Sequence, residues 1–254
     1  MLMQNKKAVI YGAGGAIGGA VAKVFAREGA IVYLTGRTLE TLEPLAKEIG
    51  GHAAVVNALD EAAVEAHLST MDRINVSFNA IGLAQQGIQG TPLTSLALKD
   101  FTTPIHTYLT SHFLTARAAA RRMLGQGSGV ILTLTATPSR AAAPLTGGMS
   151  PAWAGIEALT RTLAAELGPQ GIRVVCLRPD GMPETATIDV VFGQHAQGHG
   201  ITREAFTAAM ADRTLLKRLP TLAEVAEAAA FLASDRASAM TGTVANLSAG
   251  SLVD

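Results

Sequence analysis

Short, nearly continuous apolar runs alternate with longer helical patterns, and this feature constrains the chain most. The apolar runs fall at residues 6–12, 30–36, 52–59, 74–82, 129–137, 172–179 and 242–250. Amphipathic stretches separate them at 17–29, 39–50, 61–71, about 95–124 and 151–168, with a helical tail before the last run. Strands without polar alternation are buried on both faces, which requires a parallel sheet with helices on each side. Right-handed crossovers then predict a single doubly wound α/β domain over residues 1–254. Residues 183–202, rich in glycine and polar side chains, read as a mobile loop, with a helix following near 203–215. Together, about 183–215, they form the expected substrate segment. Pro44 is expected in the first turn of its helix.

Composition narrows the function classes. With 254 residues, 48% hydrophobic and 16% charged, the chain can bury a large core. Its net charge of +0 and 4% aromatic content suggest neither an electrostatic search for nucleic acid nor base-stacking platforms. No apolar run approaches the ~20 residues of a bilayer span. The N-terminus shows no signal-peptide pattern. The single cysteine, Cys176, lies in an apolar strand and reads as a buried hydrophobe. These features lead us to expect a cytoplasmic protein.

The first apolar run leads into Gly12-Ala13-Gly14-Gly15-Ala16-Ile17-Gly18, and a helix follows. A strand–glycine loop–helix unit brings backbone N–H groups and the positive helix end to a diphosphate. The second strand ends Thr35-Gly36-Arg37, with no carboxylate to accept bonds from a ribose diol. Arg37 offers a planar fork suited to a 2′-phosphate.

These residues resemble the short-chain dehydrogenase/reductase family over nearly the whole chain. Tyr11-Gly12-x-x-x-Ala16-x-Gly18 stands where the family has Thr-Gly-x-x-x-Gly-x-Gly, so Ala16 replaces the middle glycine. Gly36 stands where NAD-preferring members carry Asp, and NADP(H) is therefore expected over NAD(H). The resemblance places the cofactor against Gly12, Gly14, Gly15, Ile17, Gly18 and Arg37, then Asn57 and Ala58 beside the adenine. Asn79, Ala80 and Gly82 follow the fourth strand, where the family motif partly braces the sheet. Pro179, Gly181, Met182 and Thr185 flank the nicotinamide. It also implies a homo-oligomer, dimer or tetramer, and the alanine face Ala116, Ala118, Ala119 and Ala120 offers a close-packing surface.

The catalytic pattern departs from the family. Its Tyr-x-x-x-Lys motif places an acid and its pKa-lowering lysine on one helix face. The register set by Gly155–Arg161 puts Met149 at the Tyr position and Trp153 at the Lys position. Ala136 takes the Ser position and Tyr108 the Asn position. Independently of alignment, residues four after Tyr11, Tyr33 and Tyr108 are Gly15, Arg37 and His112, and residues seven after are Gly18, Glu40 and Thr115. No Tyr/Lys pair exists at either spacing. Tyr108 with His112 is one substitute acid pair, and Thr135 or Thr137 can supply a hydroxyl after a one-residue shift. Trp153 and Met149 suit an apolar pocket.

Other clusters point elsewhere. His195 and His199 have metal-pair spacing but lie in poor helix sequence without a third ligand, so no metal site is expected. Asp180 and Glu184 suit turn and cap roles near the cleft. Arg117, Arg121 and Arg122 read as a solvated helix face or a subunit contact. Three functions stay open: an NADP(H)-dependent oxidoreductase acting on a small organic molecule with a non-standard proton donor, an inactive cofactor-binding sensor or scaffold, and a non-redox enzyme using the same cleft.

Overall fold

The computed structural model describes residues 1–253. Seven strands are β1 (Lys7–Tyr11), β2 (Ile31–Gly36), β3 (His52–Val55), β4 (Val76–Asn79), β5 (Gly129–Leu134), β6 (Ile172–Pro179) and β7 (Val244–Leu247). They form one sheet in the order β3-β2-β1-β4-β5-β6-β7, and every pairing is parallel. The helices are α1 (Ala16–Arg27), α2 (Leu39–Ile49), α3 (Glu61–Ser69), α4 (Leu98–Leu124), α5 (Met149–Leu167), α6 (Ala186–His199), α7 (Arg203–Asp212) and α8 (Leu222–Ala233).

The apolar runs become strands because helices cover the sheet on both faces. One core joins Ile10, Leu34, Phe78 and Leu132 to Val21 and Phe25 of α1 and to Val225 and Ala229 of α8. The other joins Val9, Ile131 and Val174 to Leu68 of α3, Ala119 and Met123 of α4 and Leu163 of α5. Successive residues of each strand alternate between these two layers. Parallel pairing puts every strand's C-terminal end on one sheet edge. The order reverses beside β1, which pairs with both β2 and β4. Ligands of such sheets bind at that switch point.

Three expectations are corrected by the structure. The segment expected as a mobile loop is mostly α6, which buries Val191, Phe192, His195 and Ala196 on one face. The Thr185 side chain caps its start and Gly200, at φ 67°, ends it. Gly198 is needed because a Cβ there would lie 2.6 Å from Leu145 Cδ1 and 2.8 Å from the Gly90 oxygen. Burial of one face thus outweighs the poor helix propensity.

Pro44 lies inside α2, in its second turn rather than its first. Ala116, Ala118, Ala119 and Ala120 are all buried against the chain's own core and offer no free oligomer face. The arginines of α4 form surface pairs along a partly solvated face. Arg117 pairs with Glu61 at 2.5 Å, Arg121 pairs with Glu65 at 2.7 Å, and Arg122 donates to the Met71 carbonyl. Among the described residues, no helix is long and apolar enough to cross a membrane.

Candidate functional site

A cavity of about 350 Å³ opens at the C-terminal edge of the sheet. It runs from Gly15, Ala16 and Ile17, past Ala80 and Gly82, to Pro179, Gly181, Met182 and Thr185, and ends beneath α6 and α7. Most of the expected cofactor positions therefore converge on one space. Gly12 and Gly18 lie behind it and shape it. Gly12 has φ +75°, and a Cβ there would lie 2.6 Å from the Ala80 oxygen. A Cβ on Gly18 would lie 2.5 Å from the Gly12 oxygen. Gly14 packs on α2, where a Cβ would meet Thr41 Oγ1 at 2.6 Å.

Helix α1 begins at this loop with Gly15 as its cap residue, no side-chain cap bond and no acidic residue in its first turn. Its leading N–H groups and the positive end of its dipole face the cavity mouth without a competing side chain. That arrangement fits a dinucleotide diphosphate, and the Ala16 methyl borders the cavity without closing it. Farther along the same edge, Arg37 is exposed and has no hydrogen bond or ion pair among the described residues. Asn57 is exposed too, with Oδ1 accepting from the Leu59 N–H at 3.1 Å, and Ala58 is buried beside it. Asn79 braces the sheet. It accepts from the Ile81 N–H and donates to Thr115 Oγ1, each at 3.1 Å.

Tyr108, Ala136, Met149 and Trp153, the positions to which the resemblance assigns the catalytic pattern, all line the cavity. Met149 and Trp153, on the first turns of α5, join Tyr108, Ile88 and Ile156 in an apolar cluster. Dispersion and burial hold this cluster together.

The expected Tyr108–His112 acid pair does not form. His112 Nδ1 bonds the Tyr108 backbone oxygen at 2.9 Å, and Nε2 faces the Leu134 N–H at 3.5 Å. Burial lowers the His112 pKa to about 4 and raises that of Tyr108 to about 12. The imidazole is therefore neutral at pH 7 and lends the phenol no positive charge.

This has a consequence for stability. The folded pKa of His112 lies below the unfolded value near 6.5, so its contribution is complete above that pH and declines as pH falls toward about 4. Replacing His112 with Asn should flatten the dependence of Tm on pH between about 4 and 6.5. An unchanged slope would assign the acid lability to other groups.

Hydroxyls near Ala136 are committed to buried carboxylates. Thr135 Oγ1 donates to Glu157 Oε1 at 3.2 Å, and Ser139 Oγ donates to the same oxygen. Glu157 also meets Arg178, at 3.4 Å, both side chains being nearly inaccessible. Asp180 Oδ1 accepts from Thr137 at 3.2 Å and from the Gly181 N–H at 2.8 Å. Its Oδ2 accepts from Arg213 at 3.0 Å and from Ser251 at 2.5 Å. Glu184 accepts from the Leu222 N–H at the start of α8. Glu184 thus caps α8, while Asp180 joins Thr137, Arg213 and Ser251 at the cavity lining. Cys176 is buried, and burial raises its thiol pKa to about 11, as suits a core residue.

Sequence reasoning passed over Gln85, Gln89, Phe206, Met210 and Arg213, which all line the cavity. They come from irregular or distant segments whose spacing carries no signal. Glu157 was legible in principle, standing four residues after Trp153 on the same helix face. His195 and His199 flank the Phe206 ring, and among the described residues no group of three or more His, Cys, Asp or Glu can hold a metal ion.

A glycine loop at the switch point, a bare helix end and a cavity crossing β1, β4, β5 and β6 match a known constellation. Residues 12–251 match the profile described as Enoyl-(Acyl carrier protein) reductase. The chain belongs to the short-chain dehydrogenase/reductase family. It is 31% identical over 258 aligned residues to nodulation protein G of Rhizobium meliloti strain 1021, covering 98% of this chain and 97% of that protein. It is 30% identical to the mitochondrial borneol dehydrogenase of Lavandula x intermedia, covering 94% and 88% of the two chains. Among solved structures, sorbitol-6-phosphate 2-dehydrogenase from Erwinia amylovora superposes with a TM-score of 0.90 at 27% identity, covering 97% of this chain and 100% of that one. NAD+-bound xylitol dehydrogenase superposes with a TM-score of 0.91 at 25% identity, covering 98% and 100%. The doubly wound single sheet is that of the family, and the family is one of oxidoreductases.

Proposed function

We propose that this family member is an NADP(H)-dependent oxidoreductase acting on a small, largely apolar organic carbonyl or alcohol, without the Tyr/Lys acid of its relatives. One observation carries the reading. A single cavity links the uncapped N-terminus of α1 to an apolar chamber under α6 and α7. When bound, the dinucleotide supplies or accepts a hydride there. Gly12–Gly18 hold the diphosphate, and Arg37 pairs with the 2′-phosphate. Met149, Trp153, Phe192 and Phe206 exclude water from the chamber. Proximity of the reactants survives the loss of the acid, while the missing acid costs ~10²–10⁴ in rate. Slow turnover of activated substrates follows.

Calorimetric titration with NADPH and NADH tests this. NADPH should bind more tightly, and Arg37→Ala should weaken NADPH roughly tenfold to a hundredfold while leaving NADH unchanged. Equal weakening of both would remove Arg37 from the 2′-phosphate. Binding of neither dinucleotide would sink the oxidoreductase reading and favour a cofactor-free scaffold. We further propose a homo-oligomer, dimer or tetramer, in keeping with the family. A monomer by light scattering would contradict it.

A further inference from the structure

The cavity wall opposite the glycine loop carries a line of buried polar side chains in otherwise apolar surroundings. Gln85, Gln89, Tyr108 and His195 each expose less than a tenth of their surface. Gln85 and Gln89 belong to the segment after β4, and His195 belongs to α6. The two are held together by the Gln194 amide, which donates to the Gln85 carbonyl at 3.2 Å.

The direction of every bond in this line is fixed at one end. The Leu83 carbonyl only accepts, so Gln85 must present Nε2 to it, at 2.7 Å. Gln85 Oε1 is then turned the other way and accepts from Gln89 Nε2 at 2.8 Å. Gln89 Oε1 accepts in turn from His195 Nε2 at 3.0 Å. At the near end, the Tyr108 hydroxyl lies beside the Leu83 backbone and the Gln85 amide, and both neighbours favour its phenolate. Among the described residues the hydroxyl donates no hydrogen bond, so its proton is left to donate into the cavity that Tyr108 lines. At the far end, burial and the neighbouring His199 keep His195 neutral at pH 7, its pKa lowered to about 4. With Nε2 donating to Gln89, Nδ1 is an acceptor, and Gln89 is the ring's only hydrogen-bond partner among the described residues. The one cationic side chain in the lining, Arg213, is paired with Asp180.

We propose that this wall selects a neutral hydroxyketone, or the corresponding diol, with the carbonyl oxygen accepting from Tyr108 and a distal hydroxyl donating to His195 Nδ1. The proposal rests on the oxidoreductase reading for the reaction, but the two bonds are a property of the wall itself. Away from the α1 end, no described residue of the lining offers an unpaired cation for a substrate carboxylate or phosphate, and a buried anion without a partner is costly. The amides do not carry protons. They lock the donor at one end and the acceptor at the other.

Ligand binding by saturation-transfer NMR tests this on the intact protein, with and without NADPH. The panel consists of cyclic and linear hydroxyketones of increasing carbonyl–hydroxyl separation, the matching ketones without the hydroxyl, and the matching keto acids. The best hydroxyketone should bind about tenfold more tightly than its plain ketone. His195→Gln retains a donor toward Gln89 but moves the free acceptor away from the Nδ1 position, and should reduce that preference severalfold while leaving NADPH affinity unchanged. Tyr108→Phe should weaken hydroxyketone and ketone alike, leaving their ratio intact. Equal binding of hydroxyketone and ketone by the unaltered protein overturns the proposal, as does a preference for the keto acid. If NADPH does not bind, the oxidoreductase reading fails. The wall is then judged by whether His195→Gln reduces hydroxyketone preference in the free protein.

Discussion

Gly18→Ala is expected to reduce NADPH affinity at least a hundredfold (about 3 kcal/mol) and to lower Tm as well. A Cβ at this position would lie 2.5 Å from the Gly12 oxygen and 2.9 Å from Ala13 Cα. Neither neighbour is the end of a flexible side chain, so the loop and α1 must separate. Gly12 cannot retreat, because it already lies against Ala80 and Ile81 of the segment after β4. The helix end then moves off the switch point, and its N–H groups lose their aim. Calorimetry with NADPH, paired with thermal denaturation, checks the effect. Gly193→Ala is the control, since a Cβ there meets nothing within 4 Å. NADPH binding unchanged in the folded Gly18→Ala protein would mean that the glycine loop is structural only.

Arg178→Met should cost about 3–5 kcal/mol of stability by removing one partner of a buried ion pair. Arg178 on β6 and Glu157 on α5 meet beneath the cavity floor, and both are almost fully enclosed. The variant leaves the Glu157 carboxylate with Thr135 and Ser139 as hydroxyl donors, which do not cancel its charge. For a chain of this length Tm should drop by roughly 6–20 °C. The double variant Arg178→Met with Glu157→Leu should recover the part of that loss that comes from the stranded Glu157 charge, because an apolar pair then fills that contact. Thermal or urea unfolding of the three variants measures the cycle. A single variant within about 1 kcal/mol of the parent would show that the pair adds little.

Both predictions concern residues of different legibility. Gly18 was visible in the sequence, because a glycine loop between an apolar strand and a helix has few other uses. The Glu157–Arg178 pair was not, because its partners lie on separate elements that meet only after the sheet forms. The same division holds at the cavity. Ala136, Met149 and Trp153 could be placed by register along strand and helix, and the structure brings them together with Tyr108. The orientation of His112 toward the Tyr108 carbonyl could not, since four-residue spacing gives proximity on a helix face but not which atoms meet.

The sequence by itself determined the parallel doubly wound sheet, the position of the glycine loop and the absence of any Tyr/Lys acid at family spacing. These are properties of local periodicity and residue identity, which survive without knowledge of neighbours. Tertiary structure alone decided that residues 186–199 form a helix, that the alanine face of α4 is core, and that two glutamines link the Leu83 carbonyl to His195. Each of these depends on contacts between segments far apart in the chain, where burial of one face or satisfaction of one buried carbonyl outweighs local preference.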